Sequence, residues 1–86
     1  MGKILQSEGV QRNHLQVLNE ILFVCREPMV KTQVMREVDV SLRLLQFCLN
    51  HLMKQNMVRL HHRKKTYVTT EKGLRYLQLS TEIQKD

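Results

Sequence analysis

Between residues 41 and 77 the chain passes from an amphipathic helical segment into a short alternating hairpin with a basic tip, and then into a second helical segment. This order constrains the fold more than any other feature, because the remaining residues offer almost no competing chemistry. The helical segment reads SLRLLQFCLNHLMKQ. At steps of about 100° per residue, Leu42, Leu45, Cys48, Leu49 and Leu52 gather on one side, while Arg43, Gln46, Phe47, Asn50 and Lys54 fall mostly on the other. Ser41 is placed to cap its start. Asn56 follows where a helix needs a left-handed residue to end. The hairpin reads MVRLHHRKKTYVTT, with alternating strands expected at residues 57–61 and 66–69. His61, His62, Arg63, Lys64 and Lys65 stand at its tip. Thr70 caps a final helix running to about Gln84, with Glu71 in the first turn, where the helix dipole favours an acid.

Upstream, residues 1–11 are weakly patterned, with Ile4 and Leu5 the only paired apolar residues; a flexible arm, a short strand and a dimer contact all remain open. Asn13 followed three residues later by Gln16 has the form of a capping box. Leu15, Leu18, Leu22 and Cys25 recur at helical spacing, and Val17, Ile21 and Val24 widen that face. Pro28 ends the helix. A second, short helix is expected at residues 30–38, capped by Thr32, with Val34, Met35 and Val38 inward; Asp39 and Val40 then form a tight turn. The final helix shows two apolar stripes. Leu74 and Leu77 form one, and Tyr76, Leu79 and Ile83 the other. One stripe can cover the chain's own core; the other implies a partner, for which a second copy is the simplest proposal.

A chain of 86 residues is expected to form one domain with a modest core. Its 42 % apolar content suits a globular fold, and three Gly and one Pro argue against a loop-rich or disordered chain. The net charge of +6 suits a polyanionic partner. The excess is concentrated, since residues 59–65 hold Arg59, Arg63, Lys64, Lys65 and two His without an acid. Cys25 and Cys48 both fall on apolar faces, as expected of buried thiols in a reducing compartment. Neither a signal peptide nor a membrane span is evident, so a cytoplasmic protein without membrane association is expected. Gly-rich phosphate loops, Ser-His-Asp sets and paired-carboxylate sites are absent from the sequence, which argues against an enzyme. Cys48, His51, His61 and His62 lack the spacing of a metal site, and no cofactor or small-molecule ligand is implied.

The run KTQVMREVDVSLRLLQFCLNHLMKQNMV, followed by a basic turn and YVTTEKGLRYL, resembles the small archaeal winged-helix DNA-binding proteins, a group of nucleoid-associated and virus- or plasmid-encoded regulators. Lys31-Thr32, Ser41, Leu44-Leu45-Gln46, Leu49, Leu52 and Thr70-Glu71-Lys72-Gly73 carry the resemblance, which covers residues 15–77. It implies an α+β winged helix-turn-helix over residues 1–86: a three-helix core, a two-stranded β-wing and a C-terminal helix. It also implies a homodimeric, nucleoid-associated binder of double-stranded DNA without catalytic activity.

On that reading the helix at residues 41–55 enters the major groove. Arg43 pairs with guanine, Gln46 or Asn50 with adenine, and Phe47 with a thymine methyl; Ser41 at the helix start meets a phosphate. His61, His62, Arg63, Lys64 and Lys65 lie on the backbone or minor groove, and Lys31 and Thr32 form a second phosphate contact. Tyr76, Leu79 and Ile83 form the dimer seam. Two rival readings use the same fold. One is a protein-interaction module that uses Phe47 and the outer stripe of the last helix. The other is an architectural DNA binder without sequence preference.

Overall fold

The structure is a computed structural model that describes residues 13–84, with side chains described through Leu79. The arm expected at residues 1–11 therefore lies outside the described residues, as does the side chain of Ile83. In chain order the elements are α1 (His14–Val24), β1 (Met29–Val30), α2 (Lys31–Val38), α3 (Leu42–Lys54), β2 (Val58–His61), β3 (Thr66–Thr69) and α4 (Glu71–Gln84).

Local chemistry sets most boundaries. The Asn13 side chain accepts from Gln16 N at 2.8 Å and Gln16 Oε1 accepts from Asn13 N at 3.0 Å, so the expected capping box forms. Ser41 Oγ accepts from Leu44 N at 3.2 Å. Asp39 and Asn56, at φ 62° and 63°, take the left-handed conformation that lets the chain leave α2 and α3. Helix α2 differs from expectation. Thr32 is not its cap but lies exposed in its first turn; Val30 holds the cap position without a side-chain hydrogen bond. The reason is β1, which pairs antiparallel with β3 (Met29 with Tyr67, Val30 with Thr66) and runs straight into the helix. The sheet consequently has three strands, in the order β1-β3-β2, and not the two expected of the hairpin alone.

Val58 pairs with Thr69, Arg59 with Val68, Leu60 with Tyr67 and His61 with Thr66. This register turns Val58, Leu60, Tyr67 and Thr69 to the core and Arg59 and His61 outward. The core joins Val17, Ile21, Leu22 and Cys25 of α1, Val34 and Val38 of α2, and Leu45, Cys48, Leu49 and Leu52 of α3 to that inner sheet face. Each fully buried Leu or Ile contributes about 1.5–3 kcal/mol of transfer free energy.

Several apolar residues lie elsewhere than their spacing implied. Leu15 and Leu42, both expected inside, are 48 % and 55 % exposed. Each sits in the first turn of its helix, where side chains lean back past the edge of the core. The stripes of α4 are also rearranged. Tyr76, expected outside, packs half-buried against the core together with Leu77, whereas Leu74 and Leu79 are exposed.

Helix α4 is seated by a close approach. Thr69 Oγ1 donates to Leu22 O at 2.7 Å and Thr69 N to Cys25 O at 2.8 Å. Thr70 N donates to Met57 O at 2.8 Å, and Thr70 Oγ1 donates to Asn56 O while accepting from Gly73 N. A Cβ on Gly73 would stand 2.4 Å from Met57 O, so only glycine lets the helix lie this near.

Candidate nucleic-acid interface

Burial of Leu45, Cys48, Leu49 and Leu52 fixes the rotation of α3 and turns its other side outward. Arg43, Phe47, Asn50 and Lys54 are exposed there, and Gln46 is half-buried at the edge nearest α2. The polar residues of this side are linked. Lys31 Nζ, from the first turn of α2, donates to Gln46 Oε1. Gln46 Nε2 donates in turn to Asn50 Oδ1 at 2.9 Å, across one helical turn. Lys31 therefore belongs with Gln46 and Asn50 as one hydrogen-bonded group, whereas the sequence alone set it apart as a phosphate contact.

Phe47 is 60 % exposed. Its ring lies 5.8 Å from that of His14, tilted by 45°, and the two border a shallow recess with Ser41, Arg43 and Leu44. His14 had no signal in the sequence, because nothing local to residue 14 reports that α1 begins beside α3. Ser41 is exposed at the start of α3, with its hydroxyl engaged by Leu44 N.

At the hairpin, His61, His62, Arg63, Lys64 and Lys65 are all exposed. Lys65 takes φ 58° and donates from its backbone to His61 O at 2.7 Å; Lys64 N donates to His61 Nδ1 at 3.2 Å. These bonds close a tight loop, so three cationic side chains leave consecutive positions of a constrained turn. The left-handed backbone at Lys65 was not anticipated, since Lys has no preference for it.

The thiols do not join this surface. Burial pushes Cys25 up to about 12 and raises Cys48 as well, which keeps both as neutral thiols at physiological pH. Among the described residues no three His, Cys, Asp or Glu side chains come together as a metal ion would need.

A sequence-family model for winged helix-turn-helix proteins matches residues 11–86. The chain belongs to the winged helix-turn-helix family. No curated protein matches it. Helices α2 and α3 are joined through the left-handed Asp39, and β2 and β3 pair as an antiparallel hairpin. Winged helix-turn-helix domains typically bind DNA and are not enzymes, so the family points to DNA as the partner. No helix among the described residues is long and apolar enough to cross a membrane.

Proposed function

We propose that this winged helix-turn-helix protein is a transcriptional regulator that binds duplex DNA as a homodimer in the cytoplasm, on nucleoid DNA. Helix α3 enters the major groove, where Arg43, Gln46, Phe47 and Asn50 meet base edges and Ser41 meets a phosphate. Arg63, Lys64 and Lys65, with His61 and His62, rest on the flanking backbone, and Thr32 lies beside Lys31 at a second backbone contact. The second copy docks along α4, where Leu79 is 56 % exposed and Ile83 shares its stripe. The observation that carries this reading is the division of α3. Leu45, Cys48, Leu49 and Leu52 are buried on one side, while the side holding Arg43, Gln46, Phe47 and Asn50 faces away from the core.

The test is fluorescence anisotropy of a labelled duplex titrated with protein at several salt concentrations, for the natural chain and for the triple substitution Arg63→Ala, Lys64→Ala, Lys65→Ala. The natural chain should bind with an affinity that falls steeply with salt. The triple variant should lose up to about 3 from the logarithmic salt slope, at about 0.9 per neutralised phosphate. Sedimentation of the free protein tests the dimer. Absence of binding at low salt would favour the protein-interaction reading, and equal affinity for all duplexes the architectural one.

A further inference from the structure

The hydrogen bonds on the outer side of α3 determine which groups it can offer to DNA. An ammonium can only donate, so the carboxamide atom of Gln46 that faces Lys31 must be its oxygen. The nitrogen of the same amide faces Asn50 Oδ1 and donates to it at 2.9 Å. That second bond engages the oxygen of Asn50 and directs its nitrogen away from Gln46. Each carbonyl oxygen in the group thereby gives one of its two lone pairs to the network. What the network leaves unengaged is mostly donors: the Asn50 amide hydrogens, the second hydrogen on Gln46 Nε2, the remaining ammonium hydrogens of Lys31 and, beside them, the guanidinium of exposed Arg43. Helix α3 itself, LRLLQFCLNHLMK, contains no Asp or Glu to supply an acceptor.

Bases differ in whether they can meet such a surface. In the major groove guanine shows two acceptors, N7 and O6, and thymine shows the O4 acceptor beside its methyl group. Adenine and cytosine each present an amino donor, at N6 and N4. Bidentate reading of adenine by Gln or Asn needs the carboxamide oxygen to accept from N6. Here one lone pair of each oxygen is already taken, on Gln46 by a cation through the stronger, charge-assisted kind of bond, so these amides accept from N6 less readily than free ones. Exposed Phe47, one residue from Gln46, adds an apolar contact that suits a thymine methyl.

We propose that the Lys31–Gln46–Asn50 network, with Arg43 and Phe47, makes the chain selective for the keto bases guanine and thymine on the strand that α3 contacts, and selects against adenine and cytosine there. This inference rests on the DNA-binding reading above. It replaces the sequence-based expectation that Gln46 or Asn50 reads adenine. Because the complement of a keto base is an amino base, the preferred half-site is asymmetric between strands. A two-fold dimer would place the G/T runs on opposite strands of its two half-sites.

The experiment uses the full chain against a random duplex pool, with sequencing of the bound fraction. It then compares two defined duplexes of equal base composition by competition anisotropy. One gathers G and T on a single strand of each half-site, and the other alternates them between strands. The first duplex should win by about 5- to 150-fold for each bidentate pair that it alone can form. Lys31→Met, checked for helicity by circular dichroism, should free Gln46 Oε1 and admit adenine at one position of the selected site. Asn50→Asp, at an exposed position, should offer an outward acceptor and admit cytosine or adenine without depending on Lys31. Selected half-sites with keto bases scattered over both strands, or equal affinity for the two duplexes, would overturn the inference and leave DNA binding intact. The same holds if neither substitution changes the selected bases. Failure to bind any duplex at low salt would remove both readings.

Discussion

The loop into α4 and the outer side of α3 are both polar, yet they direct their polar atoms in opposite directions. In Thr69-Thr70-Glu71-Lys72-Gly73 the two hydroxyls and the backbone N–H groups of Thr69, Thr70 and Gly73 bond to Leu22, Asn56, Cys25, Met57 and Thr70 itself. These bonds tie the last helix to the ends of α1 and α3. On α3, Gln46 accepts from Lys31 and donates to Asn50, and this network stands on the side of the helix that faces away from the core. The difference shows that the Thr-Glu-Lys-Gly signature, which contributes much to the family resemblance, describes how α4 is seated and says nothing about the ligand. Substitutions in the first region should change stability, and substitutions in the second should change only recognition.

The most severe way to break that division is Gly73→Ala. The new Cβ would meet Met57 O at 2.4 Å and the Thr69 side-chain methyl at 2.6 Å. Met57 O cannot easily retreat, because it also accepts from Thr70 N. Overpacking commonly destabilises by about 1–3 kcal/mol, and the backbone clash puts this case at the upper end. A domain of this size should then lose roughly 10–20 °C in melting temperature, read by thermal denaturation. Any loss of DNA binding should track the unfolded fraction.

A smaller effect is expected of Thr69→Val, which keeps the shape and removes the hydroxyl. Arg26 N turns to Phe23 O at 3.3 Å, which leaves Leu22 O to the Thr69 hydroxyl. Without that donor the carbonyl is unsatisfied in a buried setting, at a penalty of about 1–3 kcal/mol. Urea denaturation should show the loss with an unchanged m-value, since the surface exposed on unfolding is the same. An unchanged midpoint would mean that water reaches this carbonyl and that the seam is wetter than its burial suggests.

How much of each region was legible follows from the range of the interactions. The caps at Asn13, Ser41 and Thr70 and the left-handed Asn56 are local, between residues at most three apart, and all were readable. The hairpin was readable because its strands alternate. Strand β1 was not, since two residues show no period. Leu15 and Leu42 misled because helical spacing reports a face but not where the core ends. Within the candidate interface, the outward pose of Phe47 was readable from the α3 projection. Its neighbour His14 and the Lys31–Gln46 bond were not, because both depend on how separate helices pack. Gly73 was visible as part of a motif, but the reason for it lies in Met57, on another element.

The finest test of the division uses two residues with nearly the same backbone. Asn56 and Lys65 take φ 63° and 58°, one at the end of α3 and the other in the turn between β2 and β3, the proposed wing. Left-handed backbone costs an ordinary L-residue about 1–2 kcal/mol, less for Asn, whose side chain tolerates it. Glycine removes that cost but adds chain entropy to the unfolded state, about 0.5–1 kcal/mol. Asn56→Gly should thus shift stability by no more than about a few tenths of a kcal/mol, and Lys65→Gly should raise it by roughly 0.5 kcal/mol. Asn56→Gly keeps the backbone carbonyl that Thr70 Oγ1 donates to, so the seating of α4 survives it. Only Lys65→Gly removes a cation from the wing, and it alone should reduce the salt slope, by about 0.9. A salt slope that stayed constant in Lys65→Gly while the protein grew more stable would exclude this lysine from the backbone contact and confine the wing's role to Arg63 and Lys64.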